Sequence, residues 1–419
     1  MGAKTGPRRF TVMKKLIAPL LALGLAACSA APDTVPPPPA ADPPLEASLT
    51  AGQGALDLFA LLDESAGASG NVFYSPASIE QAFGLLALGA DGDTLDQIET
   101  TLPPPRDARF LSFKDDSVEV RLANALWLAQ GWRFRESYVA AARDRYDATA
   151  QRVDFQQREE AAKRINDWAD KATDGLIPKL TSPDAIDPET VALLSNALFF
   201  DAEWETYFDS AQPQKFLFGD GREEDFVLMR ETMPLRHASE GDLQAVRLPY
   251  RNTRYAMDVI MPRRRWVMQQ APELSEIAEI ARKLDAAEPQ ITDMRLPRFE
   301  IDYKTALIEP LRAIGLTLPF DRDRANLSRM VEPGQRQIYV DQVQHLAKLQ
   351  VFDEGTKAAA VTTIRIVPVG ARRPVEKPRE FIVDRPFAIV IRDLETGAIL
   401  FLGRIADPQA FIPIRDEPE

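Results

Sequence analysis

Few side chains in this 419-residue sequence could do chemistry of their own. It holds one cysteine, Cys28, and two histidines, His237 and His345. A lone thiol can act as a nucleophile, but a Ser-His-Asp triad or a zinc site has few members to draw on. The phrases G-x-S-x-G, S-x-x-K, H-E-x-x-H and the P-loop do not occur. The many carboxylates single out no pair for acid–base work and read as solvated surface. A net charge of −13 argues against a nucleic-acid partner, because phosphate binding needs a basic face. No metal and no cofactor is expected.

What is left is chemistry done to the chain. Residues 354–370 read EGTKAAAVTTIRIVPVG. One face carries Thr356, Ala358, Ala360, Thr362, Ile364 and Ile366 with no charge, and the other carries Lys357 and Arg365. Sorting with period two belongs to a strand that turns one face to a core. Pro368, Gly370, Arg372, Arg373, Pro374 and Pro378 then describe an exposed loop that a protease can enter. A strand fit for burial runs straight into a cleavable bond. Taken alone, the stretch reads equally well as an Ala-rich helix or a linker before a strand.

The surrounding elements must decide. Residues 118–127 alternate as a strand, and 191–200 form an apolar run expected to be buried on both faces. Asn196 inside that run needs a partner, since an orphaned buried amide costs about 1–3 kcal/mol. Residues 247–250 and 255–262 read as paired strands, and 388–392 with 400–405 as a hairpin turned at Gly397. Ser75 before Pro76 marks a helix start.

Several of these phrases resemble the serpins, a family of serine protease inhibitors. They are NVFYSPASI at 71–79, NALFF at 196–200 with Trp204, His345, and the stretch from Glu354. The resemblance covers about residues 54–408. It implies an α+β serpin fold, with a mixed central sheet, surrounding helices and an exposed reactive-centre loop at about 354–380. It also implies a suicide-substrate mechanism in which the cut loop inserts into the sheet and traps the acylated protease. By the resemblance, Glu354, Gly355, Thr356, Ala358, Ala359 and Ala360 form the hinge. Gly355 supplies backbone freedom and the others are mostly small. Ser75, Ser78, Asn196 and His345 form the shutter where the sheet opens; His345 is a latch and not a catalyst. Counting about fourteen residues from the hinge glycine puts the reactive bond at Val369-Gly370, which suits an elastase- or subtilisin-like serine protease, with a cysteine protease as the alternative target class. The alternative baits Arg372 and Arg373 suit a trypsin-like one. The expected partner is a serine protease in covalent complex with a monomer. The competing readings are a non-inhibitory serpin acting as a surface binding lipoprotein, and a tethered hydrolase.

The first fifty residues have a different character. Lys4, Arg8, Arg9, Lys14 and Lys15 precede a short apolar run at 16–27, with Met1 or Met13 as the start. The run ends Leu25-Ala26-Ala27-Cys28, which resembles a bacterial lipoprotein signal and implies lipid on the Cys28 thiol. Removing residues 1–27 leaves a net charge of −18. Residues 28–53, rich in Pro and Ala, read as an extended tether. The domain then spans 54–410, with a tail at 411–419. The expected place is the bacterial cell envelope, anchored by lipid, with the outer membrane favoured over plain secretion.

Overall fold

The apolar spacing in Gln53–Ala66 (α1) places Ala55, Leu58, Phe59 and Leu62 on one buried face, and the helix stops at Gly67, where φ is 62°. The computed structural model describes residues 52–103, 112–356 and 377–411. Val72–Tyr74 (β1) leads into Pro76–Gly89 (α2). The Ser75 hydroxyl accepts the Ser78 N–H at 3.1 Å, and proline occupies the first turn, where its missing N–H costs nothing. Gly92–Thr101 (α3), Phe113–Lys114 (β2), Val118–Ala129 (β3), Glu136–Tyr146 (α4), Thr149–Val153 (β4) and Arg158–Ala172 (α5) follow. Next come Ala192–Glu203 (β5), Ser210–Leu217 (β6), Glu223–Glu240 (β7), Leu243–Pro249 (β8), Tyr255–Pro262 (β9) and Leu274–Ala286 (α6). The chain continues through Gln290–Pro297 (β10), Phe299–Ala306 (β11), Ile308–Ala313 (α7), Gln344–Phe352 (β12) and Gly355–Thr356 (β13). Arg379–Ile382 (β14), Phe387–Asp393 (β15), Ile399–Ile405 (β16) and Gln409–Ala410 (β17) complete it.

Two sheets result. One runs β1-β16-β15-β9-β8-β7-β10-β14, with β6 also paired to β7. The other runs β17-β11-β12-β13-β5-β3-β2, with β4 added parallel to β3, so it is mixed. Aromatic and aliphatic side chains fill the space between the sheets, among them Phe200, Trp204, Tyr250, Tyr255 and Phe401. Helix α5 lies across the other face of the second sheet. Its Ile165, Ala161 and Ala162 meet Ala125 and Trp127, and Trp168 packs edge-on to Trp127 at 6.1 Å.

Strand β5 departs from the sequence expectation. Ala192, Leu193 and Leu194 are only half-buried, because no strand pairs with that part of β5 on the β12 side among the described residues. The loop expected at 354–380 is bounded more narrowly. Gly355 and Thr356 already belong to a sheet, and Arg379 starts β14, which pairs parallel to β10. Phe411, expected in the tail, packs its ring 6.0 Å from that of Phe352.

Candidate functional site

The site is a seam between β12 and β5. Both strands pair antiparallel with the two-residue β13 and therefore run parallel to each other. Gly355 lies opposite Phe352 and Glu203, and Thr356 lies opposite Val351 and Ala202. The turn at Asp353 and Glu354 is fastened by the backbone. Trp204 N–H donates to the Glu354 carbonyl and Phe208 N–H to that of Asp353, each at 2.9 Å. Arg298 pairs with the Asp353 carboxylate at 2.5 Å, and the Trp204 indole N–H donates to the Phe352 carbonyl at 3.0 Å.

Gly355 answers to close approach. A Cβ there would lie 2.2 Å from the Ala202 carbonyl oxygen, so only glycine lets the chain enter between the strands. The sequence reading credited backbone freedom, whereas Gly355 is not among the residues with positive φ. Thr356 is fully buried, and its hydroxyl lies 2.8 Å from that of Tyr250. Tyr250 is stacked on Trp204 with ring centroids 4.6 Å apart. Burial drives the Tyr250 phenol far above its usual titration range, so it is a neutral hydrogen-bonding group.

At the starts of β5 and β12, away from β13, lies a cavity of about 680 Å³, which Ser78, Asn196 and His345 all line. His345 Nε2 accepts the Ser75 N–H at 3.3 Å, and the Tyr74 ring packs edge-on against the imidazole at 6.0 Å. Nε2 as acceptor means a neutral ring with its proton on Nδ1. Burial agrees, lowering the His345 pKa to about 4. Asn196 is not joined to this group. Its amide donates to Asn124 Oδ1 at 2.7 Å, and Asn124 in turn donates to the Tyr146 carbonyl at 2.8 Å. Asn196 Oδ1 is buried and has no partner among the described residues.

The folded chain matches the family model described as Serpin (serine protease inhibitor) over residues 50–408. The chain belongs to the serpin family. It is similar to Serpin-ZX of Hordeum vulgare, with 32% identity covering 82% of this chain and 91% of that serpin. Its fold is similar to that of native protease nexin-1 crystallised with heparin, at TM-score 0.73 and 26% identity, covering 85% of this chain and 97% of the other. It is also similar to the native thermophilic serpin tengpin, at TM-score 0.71 and 26% identity, covering 84% and 93%. The serpin fold expected from the sequence is the fold observed.

Of the expected hinge, Glu354, Gly355 and Thr356 are held in the sheet as described; Ala358, Ala359 and Ala360 lie outside the described residues. So do Val369, Gly370, Arg372, Arg373 and the lipidation candidate Cys28. Tyr250 and Asn124 were missed. Asn124 stands directly opposite Asn196 on β3 and carries the same signal, an amide inside an apolar run.

Two expected results arise here. Tyr250→Phe removes one hydroxyl from the seam and costs about 0.5–1.5 kcal/mol. If that bond holds the hinge between the strands, association with a target protease, followed by stopped flow, becomes several-fold faster. The second concerns pH. His345 in the folded state titrates below its unfolded value, so the unfolded chain binds more protons. The resulting stability is present above about pH 6.5 and is lost as pH falls towards 4, by about 3 kcal/mol. Urea unfolding of His345→Gln against pH should show a flatter curve in that window.

Proposed function

We infer that this serpin is an irreversible, suicide-substrate inhibitor of serine proteases. The observation that carries the reading is the seam itself. It is closed at one end by Gly355 and Thr356, and it opens at the starts of β5 and β12 onto a cavity. The register already set extends down both walls. From Glu203 and Phe352 opposite Gly355, residue 362 falls opposite Asn196 on one side and His345 on the other, and residue 366 falls opposite Ala192. Thr362 in an inserted strand thus brings a hydroxyl to the region of the unpartnered Asn196 Oδ1. The uncharged face of the bait stretch continues the buried side of Thr356.

The chemistry is acyl transfer that stops halfway. The protease serine oxygen attacks the carbonyl carbon of Val369, the bond to Gly370 breaks, and the new amine of Gly370 takes up the proton. The bait remains as an ester on the protease. Insertion moves the ester-linked protease before water can complete hydrolysis. Arg372 or Arg373 replaces Val369 in this scheme if the target is trypsin-like. Lipid on Cys28 would hold the inhibitor at an envelope membrane.

Mixing the protein with elastase and with trypsin tests the reading on a denaturing gel. A heat- and detergent-resistant adduct is expected with one of them. Clipping without an adduct refutes inhibition and supports a non-inhibitory binding role. The mass of the released C-terminal peptide identifies the bond.

A further inference from the structure

The second histidine, His237, takes no part in the seam, yet it packs against the strand that follows the bait. That strand, β14, is four residues long and pairs with β10 alone among the described residues. Its Phe381 is fully buried, and the His237 ring meets it edge-on with centroids 6.1 Å apart. His237 Nε2 lies 2.7 Å from the Thr292 hydroxyl on β10. That hydroxyl donates its own proton to the Gln290 carbonyl at 2.8 Å, so Nε2 carries the imidazole proton. Nδ1 is then a bare acceptor, buried and without a partner among the described residues. A neutral ring thus joins β7, β10 and β14.

The charges around it offer nothing to a second proton. Side chains alternate across a strand, which places Thr292, Arg379 and Phe381 on one face of β10 and β14, with Asp293 and Glu380 on the other. Asp293 is held by Arg230 and Arg295, and Glu380 lies 4.0 Å from Lys377. On α6, Arg247 and Arg392 hold the Asp285 carboxylate, and Lys283 pairs with Glu240. Arg236, beside His237 on β7, donates to the Leu284 and Asp285 carbonyls, and β8 sets Val246 opposite His237. The charge on the side of the ring is therefore Arg379, of the wrong sign. Burial and that arginine lower the His237 pKa to about 4.

We propose that His237 is an acid-sensitive latch on β14, and that a second proton on its ring unseats the strand to which the downstream end of the bait is joined. The cationic ring finds no acceptor at Nδ1 and is repelled by Arg379, so it gives up its place against Phe381. Only where β14 has come away does the imidazole regain its ordinary affinity for protons, near pH 6.5. The seated strand is therefore favoured above about pH 6.5 and loses that advantage as pH falls towards 4. By this difference the ratio of released to seated strand rises about 30-fold between pH 7.5 and pH 5. In the inhibitor proposed above, a bait held at one end only is poorly presented, so acid also lowers the yield of adduct. That consequence rests on the inhibitor reading; the latch does not.

Hydrogen exchange of the full chain tests the latch, read by mass spectrometry on peptides covering residues 379–382 and 387–393 and corrected for the intrinsic effect of pH. Opening of 379–382 is expected to be about 30-fold more frequent at pH 5 than at pH 7.5, with 387–393 unchanged. His237→Gln keeps a donor for Thr292 and has no proton to gain, so its profile should be flat. His345→Gln should keep the rise of the parent, which separates the two histidines. No rise in the parent, an equal rise in His237→Gln, or a rise shared by 387–393 each overturn the latch. Should His237→Gln fold poorly, the parent and His345→Gln profiles decide alone: the rise must be confined to 379–382 and level off below about pH 4. Adduct yield after a period at pH 5 should fall in the parent and hold in His237→Gln. No adduct from the parent at any pH refutes inhibition and leaves the exchange result to decide the latch.

Discussion

Thr356→Arg is expected to turn the inhibitor into a substrate. Thr356 is fully buried, faces Ala202 and Val351 across two strands, and has the Tyr250 hydroxyl 2.8 Å away. An arginine there finds no carboxylate among these neighbours, and burying an unpaired charge costs several kcal/mol. The hinge is therefore expelled from the seam, and the strand that should follow it loses its first foothold. Encounter with a protease depends on the bait sequence beyond the hinge and survives the change. Trapping does not. Titration of the protease against the variant should show almost every molecule cut and almost none captured, with Thr356→Ser behaving like the parent. An undiminished yield of adduct from Thr356→Arg would sink the insertion mechanism.

The second large effect is a gain of stability on cutting. Burying Ile364 and Ile366 contributes about 1.5–3 kcal/mol each. New ladder bonds to β5 and β12 add about 0.5–1.5 kcal/mol apiece. Together with relief of the orphaned Asn196 Oδ1, the gain is on the order of 10 kcal/mol. Calorimetry of protein nicked near residue 369 should show a melting temperature higher by about 10 °C or more. A nicked form that melts where the intact one does would mean that the cavity does not take up the strand.

Much of this was legible because it is local. Alternation alone assigned Thr356 to an uncharged face, and Thr356 is buried. Ser75 followed by proline announced the start of α2. The missed parts are contacts between distant segments. Tyr250 and Thr356 stand 106 positions apart, and nothing near Tyr250 in sequence says where its hydroxyl points. Gly355 was explained by the commonest reason for glycine, whereas the operative reason is the Ala202 carbonyl, which only pairing brings within reach. The run at 191–200 misled in the same way. Apolar composition suggests cover on both sides, and here the first residues of β5 border open space instead.

The position of β16 bears on how the molecule is made. Residues 399–405 form an interior strand, flanked by β15 and by β1 from the opposite end of the sequence. Asn71 reaches the backbone of Ala406 and Asp407, and Arg404 pairs with Asp63. A nascent chain emerging from the ribosome lacks the piece on which its own beginning must settle. The interior of this sheet is therefore complete only once residues 399–405 have been made.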